Sequence, residues 1–346
     1  MDAIELLGHA HQSKASDIHI TVNSPVMFRI NGNLKPVDQD IVTPPRSLDI
    51  ARQLMTQEQY EIFLERGDLD FSYGIEGLSR FRVNLFKQKG TISLTIRLIP
   101  TKIPEMEALG LPPIALDFAK KPQGLLLVTG PTGSGKSTTL AAIIDYINRT
   151  RNDHIITLED PIEFVHSHKN CIINQREIGI DTNSFGTGLR AALRQDPDVV
   201  LVGEMRDLET ISTAITAAET GHLVFGTLHT ADAPQTIDRV IDVFPPEAQQ
   251  QIRVQLAAVL LGVMAQRLLP TADGTGRVAA IEVMVNTPAV SNLIRSEKIH
   301  QIRSIMQTGK AQGMQTMEMS LRELLQKGLI SVEEAKNALF GHSELQ

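Results

Sequence analysis

The sequence has no tryptophan, a single cysteine and aromatic residues at only 4% of its length. A lone Cys171 excludes an internal disulfide and any CxxC-type zinc site, and reads as a buried, inert thiol. Also missing are a long basic tract and a run of aromatics that could stack on bases. With a formal net charge of −7, these gaps speak against a machine whose main track is DNA or RNA, and no nucleic-acid partner is expected. The longest apolar stretch, Leu256 to Ala265, is too short to span a bilayer. The opening Met1-Asp2-Ala3-Ile4-Glu5 lacks the charged and apolar regions of a secretory signal. The expectation is a cytoplasmic protein that reaches a membrane only through a partner.

What is present suffices for two domains with their own cores: 346 residues, 42% hydrophobic and 21% charged. The chain is organised around Gly130-Pro131-Thr132-Gly133-Ser134-Gly135-Lys136-Ser137-Thr138. The apolar run Leu125 to Val128 before it reads as a buried strand, and Leu140, Ile143, Ile144 and Ile147 after it recur at helical spacing. Strand, glycine turn and helix in that order surround a phosphate with backbone N–H groups and a helix N-terminus. The glycines let the chain curl close to the ligand, Lys136 reaches the β- and γ-phosphates, and the Ser137 hydroxyl ligates Mg²⁺. The cofactors expected are therefore ATP and Mg²⁺.

Residues 1–100 read as an α+β domain. Asn31-Gly32 between two apolar runs is a hairpin signal, and Leu69 to Ile75, Phe81 to Leu85 and Ile92 to Leu98 alternate as an antiparallel sheet with one buried face. Its other face carries Arg80, Arg82 and Arg97, which on the residues alone read as solvated. Five prolines between Pro100 and Pro122 place a linker at 101–122. From 123 to 346 the pattern is α/β, with strands at 125–129, 154–158, 199–202 and 222–228 and helices between them, implying a mostly parallel sheet. The ligand then lies at the carboxyl ends of the strands, where Glu159, Asp160, Glu163, Glu204 and His229 stand. Val199 to Glu204 has the form of a Walker B strand with Glu204 in the carboxylate position, holding Mg²⁺ through water. His222 and His229, seven residues apart on a strand, are disfavoured as joint metal ligands. His166 and His168 in a polar segment read as solvent-facing, and Met306, Met314, Met317 and Met319 as helix-core packing.

With Glu159-Asp160-Pro161-Ile162-Glu163, Gly203-Glu204-Met205-Arg206-Asp207, Thr220-Gly221-His222 and Thr227-Leu228-His229-Thr230 alongside the phosphate loop, the chain resembles the retraction ATPases of bacterial type IV pili, the PilT family within the secretion ATPase superfamily. Ser16-Asp17-Ile18-His19 and Gly313 to Met317 extend the likeness over nearly the whole length. The resemblance implies a PAS-like N-terminal domain before a RecA-like P-loop core, a homo-hexamer with ATP between domains, an inner-membrane pilus platform protein as partner and a paralogous retraction ATPase as another. It also implies roles: Glu163 as the glutamate that activates water, Glu204 as the Walker B residue, and His222 and His229 as the histidine box. Arg82 and Arg97, together with Arg190 and Arg194, would be cations serving the phosphates. This reverses the solvated reading of the sheet arginines. One departure is Ser291 and Ser296, where retraction members usually have arginine and glutamate. The implied activity is ATP-driven pilus retraction. The competing readings are a retraction-motor paralogue, a pilus-extension or type II secretion ATPase, which usually has a further N-terminal domain and a four-cysteine zinc site, a RecA-like nucleic-acid motor, and a nucleotide-binding regulator that never hydrolyses.

Overall fold

Side chains that alternate at period two wet one face of a sheet and dry the other, and the first hundred residues follow that rule. The structure is a computed structural model describing residues 2–30, 32–75, 77–100, 102–274 and 276–340. Strands β1 (Asp17–Ile20), β2 (Pro25–Ile30), β3 (Asn33–Ile41), β4 (Asp68–Ile75), β5 (Ser79–Gln88) and β6 (Thr91–Ile99) pair antiparallel in the order β3-β2-β1-β6-β5-β4. Ile18, Ile20, Phe28, Phe81, Val83, Leu85, Leu94 and Ile96 form its dry face. They pack with Leu6 and Leu7 of α1 (Ala3–Gln12), Ile50 of α2 (Pro44–Leu54) and Phe63 of α3 (Gln57–Arg66). The hairpin expected at Asn31-Gly32 joins β2 to β3, which register Ile30 against Asn33; Asn31 itself lies outside the described residues. On the wet face, Arg29, Asp17, Arg97 and Arg82 are successive cross-strand partners, so four charges share one row.

The inner strands of the second sheet are buried on both faces. β7 (Gly124–Thr129), β8 (His154–Glu159), β9 (Ile172–Glu177), β10 (Val199–Val202), β11 (Leu223–Leu228), β12 (Leu260–Pro270) and β13 (Arg277–Val285) make a sheet of order β13-β12-β7-β11-β10-β8-β9. All neighbours are parallel except β12 and β13. Alternation now sorts residues between two cores instead of between core and water. Leu125 and Leu127 join one with residues of α7 (Leu208–Glu219), α8 (Ala233–Asp242) and α9 (Pro246–Val259), preceded in the chain by α6 (Phe185–Ala192). Leu126 and Val128 join the other with α4 (Ile114–Ala119) and α5 (Lys136–Thr150). The chain ends in α10 (Pro288–Arg295), α11 (Ile302–Thr308), α12 (Met317–Gln326) and α13 (Val332–Phe340). Met306, Met314 and Met317 are buried, in line with the packing reading.

Residues up to Lys102 together with Glu163–Val165 form one unit, and Ile103–Ile162 with the chain from His166 onward the other. The proline-rich stretch is more than a linker: Met106, Ala115, Phe118 and Ala119 are buried in the second unit's core, because prolines interrupt ladders without preventing apolar burial. Among the described residues no helix is long and apolar enough to cross a membrane.

Candidate functional site

At the end of β7 the chain turns at Gly130 with φ +139°, where a Cβ would stand 2.3 Å from the Gln266 carbonyl oxygen, so no other residue fits. Gly135, at φ +88°, caps α5 in the left-handed region. Between them Pro131, Thr132 and Gly133 are exposed and Ser134 is buried, while Lys136, Ser137 and Thr138 fill the half-buried first turn of α5. Lys136 folds back over the loop, and its Nζ donates to Gly130 O at 2.7 Å and Pro131 O at 3.2 Å. The unsatisfied N–H groups of a helix start and a lysine ammonium thus lie at one place, the donor set that an anion of several oxygens requires.

β7, β11, β10 and β8 are consecutive and parallel, so the residues that follow them stand along one rim. Glu159 Oε1 accepts from Thr157 Oγ1 at 2.6 Å and Gln175 Nε2 at 3.1 Å. Because β10 and β11 are neighbours, Glu204 and His229 meet: His229 Nε2 lies 2.8 Å from Glu204 Oε1, and Arg206 Nε pairs with the same oxygen. The turn carrying Glu204 is tied to β11 by Thr227 Oγ1 donating to Gly203 O at 2.5 Å and Met205 N donating to Thr227 O at 3.0 Å.

Other residues singled out in the sequence lie elsewhere. His222 precedes β11 and His229 follows it, so at ~3.3 Å per residue the two histidines stand on opposite rims, roughly 20 Å apart. The His222 ring bonds the Ala217 carbonyl through Nδ1 at 2.9 Å, a structural tie. Arg190 pairs with Glu209 between α6 and α7, and Arg194 is exposed. Glu163, Arg82 and Arg97 belong to the first unit. There, Arg82 Nη2 lies 3.3 Å from Asp70, and Arg97 Nε donates to Asp17 at 2.9 Å. Burial pushes the Asp17 carboxyl up, but the hydrogen bonds from Arg97 and Ser16 outweigh it and hold it below its ordinary 3.8. The solvent reading is corrected for His166, whereas His168 is exposed as expected. Burial lowers the His166 pKa to about 4, and His168 Nδ1 accepts the Ile173 N–H at 3.1 Å. Cys171 is buried as expected, and burial raises its thiol pKa.

The sequence reading missed Gln266 and Glu282, each a polar residue within an apolar strand and each almost fully buried. That pattern was the available signal, since a buried polar group must find partners. Gln266 Nε2 donates to Ser134 O at 2.7 Å. Glu282 accepts the N–H of Ala233 at 2.9 Å and of Met317 at 3.3 Å, closing the starts of α8 and α12 together.

A family model described as type II/IV secretion system protein matches residues 3–337. The chain belongs to that family. Within the secretion family it is 49% identical over 336 residues to the type IV pilus retraction ATPase PilT of Pseudomonas aeruginosa, covering 97% of each chain. It is 48% identical to a twitching motility protein of Neisseria gonorrhoeae, over 94% of this chain and 87% of that one. A crystal structure of the pilus retraction motor PilT with bound ADP superposes with a TM-score of 0.91 at 49% identity, covering 98% of this chain and 97% of that one.

Proposed function

We propose that this secretion-family chain is an ATP-hydrolysing motor that drives type IV pilus retraction and hence twitching motility. The observation that carries the reading is the match, along nearly the whole length, to a retraction motor crystallised with ADP. In this reading residues 1–100 are a PAS-like domain and 123–346 a RecA-like P-loop core, with 101–122 carrying the junction. Lys136 and the loop N–H groups bind the ATP phosphates. The loop geometry fits that substrate: Gly133 has open space where a Cβ would stand, and Lys136 already sits on the loop. Ser137 would hold Mg²⁺ directly and Glu204 through water; the ion neutralises phosphate charge. Glu163 orients a water and accepts its proton. His229 fixes the Glu204 carboxylate, and Arg82, Arg97, Arg190 and Arg194 supply cations in an assembled homo-hexamer. The motor works from the cytoplasm through an inner-membrane platform protein, with a paralogous ATPase as a second partner.

Glu163→Gln keeps ADP and ATP binding and abolishes phosphate release, measured by calorimetry and a phosphate assay on the assembled protein. Undiminished turnover removes Glu163 from its role. A deletion strain with excess surface pili and no twitching supports retraction, whereas loss of pili assigns the motor to extension.

A further inference from the structure

Gln266 stands on β12 one residue beyond Ala265, which registers against Thr129 at the end of β7, and so faces the mouth of the phosphate loop. It is 1% exposed. Two of its atoms meet the loop. Its Nε2 donates to the Ser134 carbonyl at 2.7 Å and would lie 3.2 Å from a Cβ on Gly135, and its main-chain oxygen would lie 2.3 Å from a Cβ on Gly130. Among the described residues the Gln266 Oε1 has no partner, nor do the neighbouring buried Ser134 Oγ and Thr129 Oγ1. The bond to Ser134 is therefore what sets the orientation of the carboxamide. An apolar residue would fill this strand position without the desolvation that an amide suffers.

Ser134 C=O and Gly135 N–H belong to one planar trans peptide, so they point in opposite directions. A donor that holds the carbonyl to the β12 side fixes the N–H toward the concave side of the loop. We propose that Gln266 is a positioning residue for phosphate recognition: by holding the Ser134 carbonyl it aims the Gly135 N–H at the bound phosphate. The inference rests on the nucleotide-binding reading above and adds a residue to it from a strand outside the phosphate-loop motif.

Titration calorimetry on the full chain with ADP and with pyrophosphate tests it, at a temperature where circular dichroism shows every variant folded, so that affinity is read per folded molecule. Gln266→Met, which keeps the volume and removes the donor, raises both dissociation constants about tenfold. The KM for ATP rises by the same factor and exceeds the fall in kcat. Gln266→Glu binds weakly at pH 8 and recovers as pH falls toward 5, because a protonated carboxyl regains a donor for the Ser134 carbonyl; the wild type shows no such recovery. Should the methionine variant not fold, the pH profile of the glutamate variant decides. Wild-type protein that binds neither ligand overturns the nucleotide reading itself. Wild type that binds, with variants that bind equally well or a glutamate variant without recovery at low pH, overturns the role of Gln266 alone.

Discussion

In the first unit a carboxylate, Asp17, is buried on the sheet's polar face and flanked by Arg97 and Arg29, whereas in the second Glu282 is buried between two helix starts and bonded to main-chain N–H groups. Asp17 titrates below its ordinary value because guanidinium and hydroxyl donors outweigh burial. Glu282 titrates above its ordinary 4.5 because burial outweighs the N–H groups of Ala233 and Met317. The contrast follows from sheet architecture. An antiparallel sheet with one face in water can lay arginines beside a carboxylate in a cross-strand row, as Arg29, Asp17, Arg97 and Arg82 do. The parallel strands β7, β10 and β11, buried on both faces, leave no such surface and carry no charge, and Glu204 meets His229 beyond their ends.

The largest effect separates the chemical shares of the two units. Arg82→Ala lowers ATP turnover of the assembled protein by about 10³-fold or more while ADP affinity holds, as for other arginines that serve phosphoryl transfer. Arg82 suits this test because its partner Asp70 is exposed; removing Arg97 would strip a buried carboxylate, so Arg97→Lys is its proper variant. Steady-state kinetics that show full turnover in Arg82→Ala would leave the first unit without a part in the chemistry. Next, Glu204→Gln lowers kcat by about 10²-fold and His229→Asn by less, since the histidine acts through the carboxylate.

Smaller effects test the buried acids. Glu282→Leu leaves two helix-start N–H groups without an acceptor and costs about 2–6 kcal/mol in urea unfolding, at roughly 1–3 for each unsatisfied group. Glu282→Gln keeps an acceptor and loses less. Because its folded pKa is raised, Glu282 contributes stability that is full below 4.5 and lost as pH rises through the raised value, and the glutamine variant lacks that loss. Asp17 has the opposite sign. Its contribution is present above 3.8 and lost as pH falls through the lower folded value, so Asp17→Asn has a flatter acid limb of melting temperature against pH.

What could be read from the sequence was local. β7, the glycine loop and α5 are contiguous, so their residues declare strand, turn and helix without help from distant chain. The likeness to pilus retraction ATPases was equally readable, carried by motifs in fixed order. The Glu204–His229 pair was not, because it depends on β11 lying beside β10, and strand order is not written in either strand. Leu256 to Ala265 changes from α9 to β12 within one apolar run, and hydrophobicity alone cannot mark such a change. His166 reads as polar surface, yet the fold buries its ring enough to lower its pKa to about 4. Gln266 and Glu282 escaped because an apolar strand invites attention to its majority.

In the proposed nucleotide-binding role, the ammonium of Lys136, seated on the carbonyls of Gly130 and Pro131, would give up settled bonds for those of an incoming oxyanion. Capture would then be an exchange of partners with a modest net gain, since each new bond would replace one already made. A machine that must discard spent product on every stroke is served by that restraint: a grip closed by substitution is opened by substitution, and the cycle never has to climb out of a deep trap.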